Sequence, residues 1–198
     1  LGRAMAGLMP DEPEALGLLA LMLLHNARRA ARVDAAGDLV TLEDQDRNRW
    51  DRAAIDEGAR VLDAALRRSR PGPYQLQAAI AACHATAPDA AATDWAQIAL
   101  LYRRLGQLTP SPVIELNRAV AVAMAEGPDA GLALVAAIED SGALAGYYLL
   151  PATRADLLRR LGRRAEAAAS YRAARDLAAT DAERRYLDRR LSEAEHTA

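Results

Sequence analysis

The sequence predicts an all-α protein built of antiparallel helical hairpins stacked side by side and closed by a C-terminal capping helix. Three observations carry this. Hydrophobic residues make up 52% of the 198, but much of that share is alanine and leucine, with no phenylalanine. Such a composition favours helix, and the scarcity of β-branched residues argues against a sheet. Ala167, Tyr171 and Ala174 fall on one helical face, where small residues let a neighbouring helix approach and the aromatic fills the gap between them. Packing positions also recur: Ile98, Leu132 and Ala167 are 34 and 35 residues apart, and so are Tyr102, Ala136 and Tyr171. That interval marks a unit that buries its apolar face only against similar units.

Taken in order, Leu1 to Met9 reads as a short apolar helix closed by Pro10. Pro13 to Ala31 is a second, apolar on nearly all sides through Leu24 and therefore expected at the buried centre of the N-terminal half. Gly37 and Asp38 mark a turn, Leu39, Val40 and Leu42 suit a brief extended pairing, and Glu43-Asp44-Gln45-Asp46-Arg47 is a polar run. The next helix presents Trp50, Ala54, Gly58, Val61, Leu62, Ala65 and Leu66 as one stripe and stops at Pro71-Gly72-Pro73. Tyr74 to Ala85 is another, with Leu76, Ile80 and Cys83 on one side and Gln75 and Gln77 as polar exceptions. After a loop from Ala87 to Ala92, Asp94 caps a periodic helix carrying Trp95, Ile98, Ala99, Tyr102 and Leu105, and Gln97 completes a capping-box pattern.

Thr109-Pro110-Ser111-Pro112 stops that helix and starts Val113 to Ala125, followed by Asp129 to Ile138, Tyr147 to Leu161 and Ala165 to Ala178. The turn glycines Gly127 and Gly162 are 35 residues apart. Pro151 removes a backbone donor within Tyr147 to Leu161, so a kink is expected there; the alternative is a helix starting near Pro151 after a separate turn. Asp181 to Glu195, with Tyr186, Leu187 and Leu191, reads as a polar terminal cap. The whole is a short, right-handed, tetratricopeptide-like array. The reading is of a single helical domain over residues 1–198, irregular over 1–92 and repetitive over 93–198.

All 25 basic residues are arginine, set against 27 acids for a net charge of -2. A protein that grips phosphate backbones shows a basic excess or stripe, so no direct nucleic-acid contact is expected. The arginines cluster at Arg28-Arg29-Arg32, Arg67-Arg68-Arg70, Arg159-Arg160 and Arg163-Arg164, read as C-terminal helix turns where cations suit the dipole. A lone cysteine, Cys83, excludes an internal disulfide and fits a reducing cytoplasm. The uncharged run Ala15 to Leu24 is half of what spans a bilayer, and it follows Pro10-Asp11-Glu12-Pro13 rather than a basic leader. No membrane association is expected. The chain opens on Leu1 in mid-helix style, as a piece of something longer would.

No reaction is written in these residues. Cys83 and His84 are adjacent and so diverge by about 100° on a helix, and the other histidines, His25 and His196, complete no ligand spacing. Neither metal nor cofactor is expected. Glycine-rich phosphate loops are absent, and Cys83 with His25 lacks the activating surroundings a nucleophile needs. The acids Glu43, Asp44 and Asp46 sit on a polar loop, suited either to capping the following helix or to docking a protein. Gln77, Asn117 and Arg118 intrude on apolar runs, as groove residues that hold a peptide backbone do, or as ordinary helix-to-helix hydrogen bonds. The candidate interaction surface is therefore Glu43, Asp44, Gln45, Asp46, Arg47, Trp50, Tyr74, Gln77, His84, Asp94, Trp95, Asn117 and Arg118, with no catalytic residue.

Several stretches together resemble one family. They are Ala20 to Arg29 (ALMLLHNARR), Leu42 to Arg47 with Trp50-Asp51, Gly72 to Ala82 (GPYQLQAAIAA), Thr93-Asp94-Trp95, and Ser111 to Val120 (SPVIELNRAV). The chain resembles the C-terminal, tetratricopeptide-like extension of a group of extracytoplasmic-function sigma factors. The resemblance implies a cytoplasmic regulatory domain in transcription initiation, contacting the sigma domains of its own chain, core RNA polymerase or a signalling partner. Promoter DNA would be met only through sigma domains 2 and 4, which are not in this sequence. A free-standing tetratricopeptide adaptor for a peptide tail is the competing reading. An enzyme or small-molecule sensor in the N-terminal half, resting on Gln77, His84 and Glu43 converging, is the third.

Overall fold

Proline sets where the helices start. Pro13, Pro73, Pro112 and Pro128 each occupy the first position of a helix, where the missing N–H has no partner to lose and the fixed φ already suits the helix. The computed structural model describes residues 1–196 and holds, among them, ten α-helices and two 3₁₀ turns. The protein is all-α. Its described residues form two compact units: Leu1–Val33 with Val40–Pro110, and Asp34–Leu39 with residues 111–196. The boundary thus falls at Pro110 rather than near residue 92, because the helix following Asp94 packs back on the helix before it.

In the first unit α1 (Gly2–Leu8), α3 (Arg52–Leu66) and α4 (Pro73–Thr86) all pack on α2 (Pro13–Ala27), and α5 (Trp95–Leu108) packs on α4. The core is Ala20, Leu24, Ala27, Trp50, Ile55, Leu62, Ala78, Ala81 and Ala85. As its all-round apolarity predicts, α2 is the centre. It stops as an α-helix at Ala27 and continues only as a 3₁₀ turn over Arg29–Ala31, short of the expected Ala31. The reason is where its last carbonyls go: Asp51 N–H donates to Ala27 O at 2.9 Å and the Arg32 guanidinium to His25 O at 2.8 Å.

Helices α2 and α4 touch backbone to backbone at Gly17, where an added Cβ would lie 2.8 Å from Gln75 N. The contact lets Glu14 of α2 cap α4. Its carboxylate accepts from Tyr74 N at 2.9 Å and Gln75 N at 3.1 Å, and also from the Gln75 side-chain amide at 3.1 Å. Gly72, at the N-cap position, has no side chain to do this itself. Gln75 is fully buried, and its amide also donates to Arg70 O at 2.8 Å. Replacing Glu14 by alanine removes the cap and one of the two acceptors of a buried amide, a loss of about 2 kcal/mol. Urea unfolding of Glu14→Ala should show it, with Glu14→Gln losing less because it keeps an acceptor.

The second unit repeats one motif. Helices α6 (Pro112–Glu126) and α7 (Pro128–Ser141) form one hairpin, and α8 (Leu149–Arg160) and α9 (Arg164–Leu177) the next. Helix α10 (Asp181–His196) closes on α9. Gly127 and Gly162 both take left-handed φ, 108° and 74°, at the turns whose spacing the sequence marks. Ala167, Tyr171 and Ala174 are buried together in one core with Ala155, Leu158 and Leu187. Pro151 kinks nothing. The helix starts at Leu149, so Pro151 falls in its first turn, where no intrahelical acceptor is lost; the expected kink is corrected to the separate-start alternative. Arg163 and Arg164 open α9 instead of ending a helix, and Arg163 pairs with Glu166 of the first turn at 2.7 Å. The Asp34–Leu39 segment is held to α10 by Arg185 and Arg189, which grip Asp38 at 2.6 and 3.1 Å.

Candidate functional site

Two helix C-termini, those of α2 and α4, meet the turn between α2 and α3 in the first unit, and arginines gather there. Arg47 Nη1 donates to His84 O at 2.7 Å and to Ala87 O at 2.9 Å, so it caps α4 with a full positive charge. Arg32 does the same at α2 through His25 O. Asp46 fixes Arg47 in place by capping the 3₁₀ turn Arg47–Arg49, accepting from Asn48 N at 2.9 Å. The ring of Trp50, only 3% exposed, lies under both Arg47 and Arg28, whose guanidinium carbons are 4.5 and 5.9 Å from its centroid. Arg28 is itself 9% exposed, and its Nε is buried with no acceptor.

Protonation of the histidines of this cluster is disfavoured. His25 Nδ1 faces Arg28 Nη2 at 3.4 Å and Arg32 Nη2 at 3.3 Å. Since guanidinium nitrogens only donate, Nδ1 must accept and the ring proton sits on Nε2. Burial, then the charges of Arg28 and Arg32, lower the His25 pKa. His84 packs edge-on against Trp95, with ring centroids 5.1 Å apart. Its pKa is pushed down to about 4 by burial first, then by Arg28, Arg47 and His25. Burial, together with Arg32 and Arg47, also lowers the pKa of Arg28. Arg28 thus lies close to Arg32 and Arg47, near two imidazoles whose protonation is disfavoured.

The residues expected at the interaction surface therefore separate. Arg47, Trp50, His84 and Trp95 come together, but Trp50 is core and presents nothing to a partner. Asp46 caps the 3₁₀ turn, whereas the N-cap of α3 is Asp51, accepting from Ala54 N at 3.0 Å; the capping role expected of Glu43 to Arg47 at that helix is corrected accordingly. Asp44 is exposed and accepts from the Thr41 hydroxyl at 2.6 Å, Glu43 is exposed beside it, and the half-buried Gln45 amide donates to Val40 O at 3.3 Å. Tyr74 is 44% exposed. The Gln77 amide donates to Pro73 O at 3.3 Å, a bond within its own helix. Asp94 caps α5 as expected, accepting from Gln97 N at 2.9 Å. Asn117 and Arg118 belong to the second unit, where Asn117 is exposed and Arg118 pairs with Glu115 at 2.8 Å.

Arg28, Arg32 and His25 are absent from the expected surface. Their signal was present as an arginine cluster next to a histidine, but the buried neighbours that give it meaning lie in other helices. Burial and Asp94 push the Cys83 thiol up, away from the thiolate a nucleophile needs. Among the described residues no group of His, Cys, Asp and Glu is arranged to hold a metal, and no helix is long and apolar enough to cross a membrane.

The second unit has a cavity of about 210 Å³, lined by Val120, Met124, Leu149, Asp156, Tyr171 and Tyr186 among others. Asp156 is held by Arg159 at 2.7 Å, Arg160 at 2.8 Å and Arg190 at 3.1 Å. Burial raises its carboxyl, but Arg160 and Arg159 outweigh that and hold it below the usual carboxylate range.

Residues 1–66 match DUF6596, a family of unknown function. An uncharacterized protein of Rhizobium meliloti (strain 1021) is 48% identical over 191 residues, covering 96% of this chain and 45% of that protein. The chain thus spans under half the length of that relative. No solved structure matches.

Proposed function

We propose that this chain is the regulatory, protein-binding domain of an extracytoplasmic-function sigma factor, acting in transcription initiation in the cytoplasm. It contacts the sigma domains of its own chain, core RNA polymerase or a signalling partner; promoter DNA is met by the sigma domains alone. The observation that carries this reading is convergence. The stretches behind the resemblance that lie before residue 96, around His25 to Arg29, Leu42 to Trp50, Gly72 to Ala82 and Thr93 to Trp95, are far apart in sequence and gather in one unit around α2 and α4. The Rhizobium relative, more than twice as long, leaves room for further domains. The arrangement supplies a rigid helical platform with an exposed acidic loop at Glu43 and Asp44, beside Arg47.

The test is a promoter-activity assay on the longer protein, with this domain deleted and with exposed positions Asp44→Ala and Tyr74→Ala substituted. Deletion should change activity or its regulation several-fold, and at least one substitution should reproduce part of that change at unaltered stability. Unchanged activity and regulation throughout would overturn the proposal.

A second reading, an adaptor for a peptide tail, is favoured by the cavity of the second unit, whose apolar wall and half-buried ionic group at Asp156 resemble a side-chain socket. Protection from hydrogen exchange on partner binding separates the two. The regulatory reading expects it around α2 and α4, the adaptor reading around α6, α8 and α10.

A further inference from the structure

Four helices of the second unit wall its cavity: Val120 and Met124 come from α6, Leu149 and Leu157 from α8, Tyr171 from α9 and Tyr186 from α10. Its volume, about 210 Å³, is above the roughly 150 Å³ that takes a benzene molecule and below the roughly 300 Å³ at which drug-sized ligands begin. The ionic groups among its lining residues are Asp156 and Arg160, which answer each other at 2.8 Å, while Arg159 and Arg190 hold the other carboxylate oxygen. A charged ligand would shed its water for partners already engaged, so the cavity suits a neutral one. Met124 and the ring of Tyr186 favour an aromatic body over an aliphatic one, through sulfur-to-ring and ring-to-ring contacts. Tyr171 supplies the polar handle. It is 2% exposed, and its hydroxyl is buried without a hydrogen-bond partner. Asp156 and Arg190 act on that hydroxyl, which places it at the ionic end of the cavity, and Arg159 and Arg190 approach it without completing a bond. Buried hydroxyls nearly always have a partner, and an oxygen carried in by a ligand would be one.

We propose that this cavity binds a neutral, benzene-sized aromatic group bearing an oxygen, with its ring against Val120, Met124 and Leu157 and its oxygen accepting from the Tyr171 hydroxyl. Such a group arrives either as a free phenol-like molecule or as a tyrosine side chain on a partner peptide. For the second source the inference rests on the adaptor reading; the site itself rests on neither reading of the protein's function.

The experiment titrates the 198-residue protein with phenol, toluene, benzoate and N-acetyl-tyrosine amide, with N-acetyl-alanine amide as the blank. The Met124 methyl NMR signal and the thermal midpoint are followed. Phenol should shift the methyl signal saturably and raise the midpoint, and benzoate should bind about tenfold more weakly because its charge must be desolvated. Tyr171→Phe keeps a ring in the core; it should weaken phenol about tenfold and leave toluene unchanged. Met124→Trp and Val120→Phe, at half-buried positions, fill the cavity and should abolish the binding of both while the protein stays folded. N-acetyl-tyrosine amide binding as phenol does identifies a peptide side chain as the source. Phenol binding without it identifies a free molecule, and the adaptor reading then loses this cavity while the site stands. No saturable response to phenol, undiminished binding in both filled variants, or equal weakening of phenol and toluene by Tyr171→Phe overturns the site; the hydrogen-exchange comparison still decides the adaptor reading by itself.

Discussion

Trp50→Ala should destabilise the first unit by about 3–5 kcal/mol, the range for truncating a large buried aromatic. The ring is 3% exposed and belongs to the core with Leu24, Ala27, Ile55 and Ala85, so its removal leaves a cavity that these neighbours only partly close. It also removes the surface on which Arg28 and Arg47 lie. Arg28 then loses the ring beside it, and Arg47, which caps α4, loses its support. Urea unfolding followed by the fluorescence of Trp95, the one tryptophan left, reports on this unit directly. Trp50→Phe should recover most of the loss. The opposite result, weaker partner binding at unchanged stability, would mean that Trp50 contacts a partner and is not a core residue.

Acid should destabilise the same unit through His84. Its folded pKa of about 4 lies below the ordinary 6.5, so the unfolded chain binds the proton that the folded one refuses. Stability is therefore complete above pH 6.5, falls as pH drops through the window down to about 4, and falls no further from this group below it. Between those limits the loss is on the order of 3 kcal/mol. His25, whose pKa is lowered for the same reasons, adds to it in the same direction. Unfolding free energies measured from pH 7.5 to pH 4.5 (about the usual working range) should fall steadily, and His84→Gln should flatten much of the slope. A slope unchanged in that variant would place the acid sensitivity elsewhere.

Much of the second unit is legible in the sequence because its information is local. Gly127 and Gly162 need a left-handed φ that glycine alone adopts freely, and Ala167, Tyr171 and Ala174 state their shared face by spacing alone. Pro151 was ambiguous for a matching reason. A proline inside a helix and one in its first turn differ only in where the helix starts, and that depends on Tyr147, Tyr148 and Leu150 packing against neighbouring helices.

The first unit is different. Gln75 and Gln77 look alike in the sequence, yet Gln75 is buried under Glu14, sixty-one residues earlier, while Gln77 bonds within its own helix. Trp50 looks equally suited to a surface or a core. Arg28 reads as one cation among several at a helix end, and nothing local says that Arg32, Arg47 and two imidazoles will surround it.

The sequence by itself determined the helical class, the hairpin period, the proline starts and the Asp94 cap, since propensity, periodicity and capping act over a turn or two of chain. Tertiary structure alone decided that α5 joins the first unit, that Glu14 caps a distant helix, and that Arg28 and Arg47 meet over the ring of Trp50. Burial and charge depend on which helices come together, and no window of sequence contains both partners.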